Sequence, residues 1–397
     1  AGGMPILWQH LFWIFGHPEV YIIILPAFGV ISEIIPTFSR KPLFGYPIMV
    51  LSGIFIGFMG FAVWSHHMFT TGLGPVANAV FSITSFIIGI PTGIKVFNWI
   101  ATLWGGHIRF TVSLMYAIAF LVTFVLGGIT GIMVAVAPFD QQVHDTYFVV
   151  AHFHYVMGGG ALLTFLGAAH YWIPKMSGRM LSERLGKWAF WFLVPGFHII
   201  FFPQHLMGLV GMPRRIQTYE ANIGLDFFNL ASSIGAGVMG IGLVLFLITL
   251  VQGLLRGKPA GDDPWDGRTL EWATTSPPPA YGFHVVPKIL DRDPLWVLKH
   301  PEMLEGGHYQ GDLAAEAADD EEFESFHMPG ASWMPFMTAL SIVMGGYGVL
   351  YQNWFLALLA LALLIFFVFA WAFEGLGGEH YTVRKATGEI VSVEGGH

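Results

Sequence analysis

The 397-residue sequence contains no cysteine. Disulfides, thiolate metal sites and iron–sulfur clusters are therefore excluded. Charged residues are also scarce, because they make up 11% of the chain, whereas soluble domains carry about 25%. With 54% hydrophobic residues, this composition predicts a membrane protein. Any metal ion must be bound by histidine, carboxylate, tyrosine or methionine, and histidine occurs 17 times.

Long apolar segments determine the predicted architecture. Each approaches the roughly 20 residues that a membrane-spanning helix needs. Because a helix satisfies its own backbone hydrogen bonds in lipid, we expect an all-α polytopic transmembrane helix bundle of about nine spans. The segments cover 5–36, 43–64, 77–104, 110–137, 147–173, 188–211, 226–255, 333–352 and 355–374.

These segments also define the predicted domain organisation. Residues 1–255 form a core of seven spans, 256–332 a polar and partly flexible cytoplasmic loop, 333–374 two extra helices, and 375–397 a cytoplasmic tail. Alternate loops carry most lysine and arginine residues, and this asymmetry predicts the cytoplasmic side. Most of the acidic excess behind the net charge of -8 lies within 302–324, so it describes one solvated loop and indicates no substrate.

One outer loop departs from the charge asymmetry. It contains Gly-Met-Pro followed by Arg214 and Arg215. A basic pair on the outer side opposes the predicted orientation, so we expect an anionic partner that compensates it. The alternative is a pair that is solvated at the membrane surface.

Polar residues in the first two spans are candidates for a functional site. His17, Glu19 and Tyr21 lie near the middle of the first span, where ionisable residues are costly and usually functional. His17 and Tyr21 stand at i and i+4, so they share one helix face. The second span ends in His66 and His67. These two can ligate a metal ion if the helix end bends, or they can be interfacial caps, and a hydrogen-bonded polar core is the alternative for the first group.

The third and fifth spans carry further candidates. Lys95 lies three residues after Thr92 in the third span, and a buried lysine readily gives up and regains a proton; pairing with an unseen carboxylate is the alternative. His152 and His154 lie in the fifth span. Residues two apart point about 200° apart on a helix, so these rings face opposite sides. They cannot chelate one ion, but each can ligate a separate large cofactor, and imidazole is a common axial ligand of heme iron.

In order and approximate spacing, these motifs resemble the catalytic subunit of heme–copper oxidases. The resemblance extends over the first seven spans, and the ordered set carries it rather than any single motif. The matching stretches are GHPEVY, WSHHMFTTG, PTGIK, HDTYFVVAHFHYV and GMPRR.

The resemblance implies metal and heme ligands. His17, His66 and His67 would hold the active-site copper ion, and Tyr21 would be covalently joined to the first of these ligands. His152 would be the axial ligand of a high-spin heme that faces the copper. The second ligand in that helix, His154, would bind a low-spin heme on the other flank.

The resemblance also implies roles for the charged residues. Arg214 and Arg215 would bind heme propionates, with Asp140 supporting that region. At the outer surface His144 and Asp145 would bind a magnesium or manganese ion, consistent with a hard cation near carboxylate and imidazole.

Proton transfer is implied for a separate set of residues. Glu19 would pass protons towards the active site and the pump. Lys95, Thr92 and Ser32 would line a second path that ends at Tyr21.

The implied activity is that of a terminal respiratory oxidase, an enzyme of the cytochrome c oxidase type. It would reduce oxygen to water with electrons from cytochrome c and translocate protons in the bacterial cytoplasmic membrane. Its expected cofactors are two hemes of the heme A type, copper, and magnesium or manganese. The expected partners are oxidase subunits II and III and membrane lipid, with no nucleic acid.

Departures and alternatives accompany this interpretation. The sequence begins at Ala1 and lacks the helices that precede the first span in the family, so we interpret it as N-terminally truncated. A quinol-oxidising member of the same family is one alternative. A nitric oxide reductase is another, but it lacks the His–Tyr pair and the lysine path, so Tyr21 and Lys95 favour oxygen. A transporter without redox cofactors leaves the opposed histidines and the outer arginine pair unexplained.

Overall fold

The computed structural model describes residues 3–221, 223–279, 282–283, 289, 291–300, 323–374, 378–384 and 390–395. The chain divides into two compact units, Ala1–Pro277 and Pro278–His397. Most of the predicted acidic loop, residues 302–322, lies outside the described residues, as do 375–377 and parts of the predicted tail.

The first unit is a bundle of helices that follows the predicted spans. Their cores are apolar and their ends coincide with proline, glycine or polar capping residues; Ser182, for example, accepts a hydrogen bond from the backbone N–H of Leu185 at the start of α8. The helices are α1 Pro5–Ser39, α2 Tyr46–Met59, α3 Pro75–Leu103, α4 Val112–Ala135, α5 Ala137–Val143, α6 Tyr147–Phe153, α7 Gly160–Ser177, α8 Glu183–Leu209 and α9 Asp226–Arg256.

The predicted all-α transmembrane architecture is confirmed. Among the described residues, 7 helices are long and apolar enough to cross a membrane, and α6 and α7 form one of them, Tyr147–Ser177. Two further apolar helices occupy predicted spans but are shorter, Tyr46–Ala62 and Met334–Leu350. The second span is short because α2 ends at Met59 and the chain continues in 3-10 turns, Gly60–Ala62 and Trp64–Met68.

The fifth span is interrupted by a turn that the sequence analysis did not predict. Between α6 and α7 the residues His154–Gly159 adopt a π-helix. A single π-turn widens the helix locally, and such turns are frequent at functional sites. Gly159 is tightly enclosed there, because a methyl group on it would lie 2.5 Å from the Cγ2 atom of Thr123.

The loop that follows α9 is bound to the bundle by polar contacts. The Lys175 ammonium group donates hydrogen bonds to the carbonyl oxygens of Asp262 and Thr274, at 2.8 and 2.6 Å. The indole N–H of Trp265 donates to the carbonyl of Tyr171 at 2.8 Å. Arg40 forms an ion pair with Asp266 at 2.6 Å. This first part of the predicted flexible loop is therefore packed against the ends of the helices.

The second unit contains a helical hairpin and a small sheet. A short helix, α10 Pro294–Lys299, precedes the hairpin of α11 Met334–Leu350 and α12 Trp354–Phe373. Strands β1 Phe323–Pro329, β2 Gly378–Arg384 and β3 Ile390–Gly395 form an antiparallel sheet in the order β1-β2-β3. The sequence analysis assigned these segments to a loop and a tail and predicted no strands in them.

Close contact between α8 and α9 depends on glycine. A methyl group on Gly242 would lie 2.6 Å from the backbone nitrogen of Leu193, and one on Gly196 would lie 2.5 Å from the backbone nitrogen of Met239. Small residues let membrane helices approach until their backbones touch. The van der Waals contacts formed in this way hold the helices together in lipid, where the hydrophobic effect does not drive helix association.

This contact predicts a position-specific cost on α9. Gly242→Ala forces the two backbones apart, so we expect the free energy of unfolding to fall by about 1–3 kcal/mol. The matched control is Gly240→Ala on the same helix, where no described atom beyond the surrounding helix backbone lies within 4 Å of the added methyl group; it should be neutral or stabilising by up to about 1 kcal/mol. Thermal unfolding in detergent measures both, and equal stability of the two variants would contradict the packing argument.

Candidate functional site

Three histidine side chains converge between α1 and the turns that follow α2. One ring nitrogen from each of His17, His66 and His67 lies within 4.8 Å of the other two, and they are the metal-binding group found among the described residues. The Nδ1 atom of His17 lies 3.2 Å from Nε2 of His67. The Nε2 atoms of His66 and His67 are 3.0 Å apart.

The local backbone explains how adjacent histidines reach one point. His66 and His67 lie in the 3-10 turn Trp64–Met68, so the predicted bend at the end of the second span is present. Trp13, one helical turn before His17, stacks on the His67 ring with 3.8 Å between centroids and 11° between planes. This stacking fixes the plane of the His67 ring, which a flexible loop alone would leave free.

Hydrogen bonding assigns the tautomer of His66. The Ser85 hydroxyl donates its only proton to the carbonyl of Phe81 at 2.5 Å. It must therefore accept the 2.8 Å hydrogen bond that joins it to Nδ1 of His66, so Nδ1 carries the proton. The lone pair of His66 is then on Nε2, the atom that faces His67. Metal-bound histidines are held in the same way by a partner on the other nitrogen.

The arrangement fits a metal ion bound by three imidazoles. Nitrogen ligands about 2.0 Å from an ion at tetrahedral angles stand roughly 3.3 Å apart, close to the 3.2 and 3.0 Å separations observed. The Nε2 atom of His17 is buried and has no hydrogen-bond partner among the described residues. The Tyr21 ring lies beside the His17 ring, with 4.5 Å between ring centroids.

The two histidines of the fifth span contact different helices. His152 faces α4, where its Nδ1 contacts the carbonyl of Gly127 at 3.1 Å and the hydroxyl of Thr130 at 3.1 Å. His154 faces α8 and stacks on Phe201 with 4.0 Å between ring centroids. Its Nδ1 lies 2.8 Å from the carbonyl of Val150. A carbonyl only accepts, so each Nδ1 carries a proton and each Nε2 presents a lone pair.

His152 is near the three convergent histidines. It is close enough to His17, His66 and His67 for a positive charge on its ring to disfavour a positive charge on each of theirs. The space on its α4 side is narrow, because a methyl group on Gly131 would lie 3.1 Å from Cε1 of His152. The His152 ring is therefore held between the α4 backbone and the side of the bundle that contains the three histidines.

A second polar cluster lies between α5 and the loop after α8. Asp140 is buried, with 4% of its surface exposed, and its carboxylate accepts a 2.9 Å hydrogen bond from Nδ1 of His144. This hydrogen bond raises the pKa of His144, against the opposing effect of burial. Asp145 pairs with Arg214, whose Nε is buried without a hydrogen-bond partner among the described residues. Arg215 is exposed.

Of the predicted proton-path residues, Lys95 and Ser32 line one cavity, whereas Thr92 and Glu19 do not line it. Lys95 is 5% exposed and donates a 2.7 Å hydrogen bond to the carbonyl of Met49. Ser32 lines the same cavity of about 680 Å³ as Lys95 and accepts a 3.0 Å hydrogen bond from the indole of Trp99. Thr92 is half-buried and bonds its own helix at Ile88. Glu19 is exposed on the surface of this chain.

Comparison with known proteins identifies the family. The model described as "Cytochrome C and Quinol oxidase polypeptide I" matches residues 1–238. The chain belongs to this family. The apolar helices and the family match together show that the chain is a multi-pass membrane protein of the heme–copper oxidase family.

Several relatives in this family match most of the chain. Cytochrome c oxidase subunit 1 of Bacillus subtilis (strain 168) is 49% identical over 92% of this chain and 58% of the relative. The same subunit of Alkalihalophilus pseudofirmus is 46% identical over 100% of this chain and 63% of the relative. Quinol oxidase subunit 1 of Bacillus subtilis (strain 168) is 42% identical over 97% and 58%. The chain thus spans between 58% and 63% of the length of these relatives.

A solved structure of a heme–copper oxidase is also similar to this chain. A chain from a heme–copper terminal oxidase dimer, studied by cryo-EM, superimposes with a TM-score of 0.59 and 26% identity. The similarity covers 64% of this chain and 50% of that one. The family resemblance predicted from the sequence is confirmed, and this family implies hemes and copper as cofactors.

Some residues that hold the site were not predicted. Trp13, Ser85 and Thr130 position the rings of His67, His66 and His152 through the contacts given above. For Ser85 the sequence contains a weak indication of a polar role, because Ser85 belongs to a group of hydroxyl residues in an apolar span, together with Ser82 and Thr84.

Two further histidines in the spans make contacts outside the group of three. His10 accepts a hydrogen bond from the indole of Trp64 at 3.2 Å. His198 bonds the hydroxyl of Tyr155 at 2.8 Å. Neither lies in the metal-binding group of the described residues.

The Ser85 contact predicts a selective effect on metal affinity. Ser85→Ala removes the acceptor that fixes the His66 tautomer, so we expect the affinity for copper to fall about 10- to 100-fold. The control is Thr84→Ala, since the Thr84 hydroxyl bonds only the carbonyl of Phe81. Copper content after dialysis against a graded chelator measures both variants, and equal retention in the two would show that Ser85 does not position His66.

Proposed function

We propose that this chain is part of the catalytic subunit of a terminal respiratory oxidase, which reduces oxygen to water with electrons from cytochrome c and translocates protons. The observation that carries the proposal is the placement of His152 beside the three convergent histidines, with His154 directed to the opposite side of the same span. A helix that presents two imidazole lone pairs to opposite flanks suits two separate hemes.

In this proposal His17, His66 and His67 hold a copper ion. Neutral imidazole is a suitable ligand for copper, and the ring nitrogens lie at the required spacing. His152 holds the heme on the side of the copper ion, and His154 holds the low-spin heme, both of the heme A type. When bound, these groups would supply the electrons that reduce oxygen.

Tyr21 is proposed to supply a proton and an electron at its phenol oxygen. Its ring stands next to the His17 ring, and the Nε2 nitrogen of His17 has no hydrogen-bond partner among the described residues. A covalent bond from the Tyr21 ring to this nitrogen would replace its N–H and one ring C–H by a C–N bond, a two-electron oxidation for which oxygen, the proposed substrate, is the oxidant. It would also leave Nδ1 of His17, the atom that faces His67, as the metal ligand.

Proton delivery is proposed for Lys95, Thr92, Ser32 and Glu19. Lys95 and Ser32 line one cavity, and lysine in such an apolar place exchanges its proton readily. Glu19 passes protons from another face of α1. The exposed position of Glu19 in this chain is compatible with contact to a further segment or subunit.

The outer cluster is proposed to bind heme propionates and a divalent cation. Arg214 and Arg215 bind the propionates and Asp140 supports that region. His144 and Asp145 bind magnesium or manganese. Support comes from the buried Nε of Arg214 that has no hydrogen-bond partner among the described residues, since a buried guanidinium nitrogen without an acceptor is costly.

The expected setting is the bacterial cytoplasmic membrane, with oxidase subunits II and III as partners. Quinol is the alternative electron donor, because relatives at 42% identity are quinol oxidase subunits. An optical spectrum of membranes that contain the complete subunit, reduced minus oxidised and with carbon monoxide, tests the proposal. We expect two heme components, of which one binds carbon monoxide, and a spectrum without heme contradicts it.

Replacement of Tyr21 should separate catalysis from heme binding. We expect Tyr21→Phe to abolish oxygen consumption while both heme signals remain, because the phenol proton is lost and the heme ligands are unchanged. Tyr116→Phe is the matched control, since Tyr116 is also buried and its hydroxyl has no partner among the described residues. Oxygen-electrode rates and spectra check both, and unaltered turnover in Tyr21→Phe would remove its assigned role.

The two histidines of the fifth span should affect different hemes. We expect His152→Ala to eliminate the carbon monoxide-binding component and His154→Ala to eliminate the other, because their rings point to opposite flanks. Difference spectra measure the two components separately. Loss of the same component in both variants is incompatible with the opposed assignment.

A further inference from the structure

The sheet of the second unit carries a pair of histidines that the proposed oxidase function does not use. His327 on β1 and His380 on β2 are directly opposite in the antiparallel register. Their ring centroids are 4.6 Å apart and their planes are inclined by 50°. Both residues are exposed, so an ion from solution can reach them.

The register places this pair on one face of the sheet. Side chains alternate between faces along a strand, and opposite residues share a face. Ser325 and Thr382 form the neighbouring opposite pair, two positions away on each strand. Tyr381 and Val393, an intervening pair, belong to the other face. The histidines therefore continue a polar row, and the apolar pair lies behind it.

Two adjacent imidazoles on a rigid pair of strands suit a metal ion. Imidazole is a preferred ligand of zinc, copper and nickel, and affinity rises through the divalent series to copper. Like groups with the same charge would repel each other when both are protonated. A shared cation avoids this repulsion, because it is bound by the two rings in their neutral form. In the backbone register Glu394 of β3 stands opposite His380.

We propose that His327 and His380 form a surface site for a divalent first-row transition-metal ion, with Cu²⁺ bound most tightly. The site is separate in sequence from the three histidines of the first unit. It joins the strand before α11 to the strand after α12. A bound ion therefore links the two chain ends of the helical hairpin, and it stabilises the folded sheet because it binds the folded state.

Cu²⁺ titration of the holoenzyme tests this site, since the buried trio is then already loaded. We expect the protein to bind one further Cu²⁺ in equilibrium dialysis, with an electron paramagnetic resonance signal typical of nitrogen ligation. His327→Gln and His380→Gln should each weaken this binding roughly 10- to 100-fold. Loss of a residue that only supports a metal ligand already has an effect of this size, and each of these changes removes a ligand itself. His107→Gln is the matched control, because His107 is exposed and outside the pair.

A relocated pair guards against misfolding of the sheet as the cause. In the background of His327→Gln and His380→Gln, the changes Ser325→His and Thr382→His recreate a cross-strand pair two positions away. We expect Cu²⁺ binding to return to within about tenfold of the original. Added Cu²⁺ should also slow hydrogen exchange of the β1 and β2 amides in the unaltered protein.

Three results would overturn the proposal. One is the absence of further Cu²⁺ binding by the unaltered holoenzyme. Another is undiminished binding by the variant that lacks both histidines. The last is failure of the relocated pair to bind. None of these results bears on oxygen reduction, so the proposed oxidase function is tested separately.

Discussion

The structure depends on the orientation of imidazole rings inside an apolar bundle. A buried histidine has two nitrogens, and each needs a partner because lipid offers none. In His66, His152 and His154 the Nδ1 proton is engaged by a hydroxyl or a carbonyl oxygen. Each ring then turns its Nε2 lone pair away from its own helix. The hydrogen bonds thereby set the direction in which every ring can bind a ligand.

The backbone irregularities lie where these rings need them. The chain leaves α2 and enters 3-10 turns before it reaches His66 and His67, so the regular helix does not continue through these residues. The π-helix begins at His154, directly after the segment that carries His152. Each irregularity leaves backbone groups in altered geometry, which the packed surroundings must stabilise. Their coincidence with the ring positions favours a functional origin.

Much of this arrangement could be predicted from the sequence, but not all of it. That His152 and His154 contact different helices follows from helix geometry. Among the described residues, the apolar runs predicted the seven helices that are long enough to cross a membrane and the two shorter apolar ones, Tyr46–Ala62 and Met334–Leu350. The support from Trp13 and Ser85 could not be predicted, because stacking and tautomer assignment depend on contacts between helices. The sheet was missed for a related reason. Its strands come from segments far apart in sequence, and polar stretches with glycine and acidic residues indicate a loop.

The outer cluster shows how one arginine can serve two partners. Arg214 uses one terminal nitrogen for the Asp145 carboxylate, whereas its Nε has no hydrogen-bond partner among the described residues. A guanidinium group has five donors in a fixed fork, so Arg214 can bind a second carboxylate without releasing the first. Asp145 retains a second oxygen for a cation. The ion pair is therefore compatible with both proposed ligands, and it holds the two sites at a fixed distance from each other.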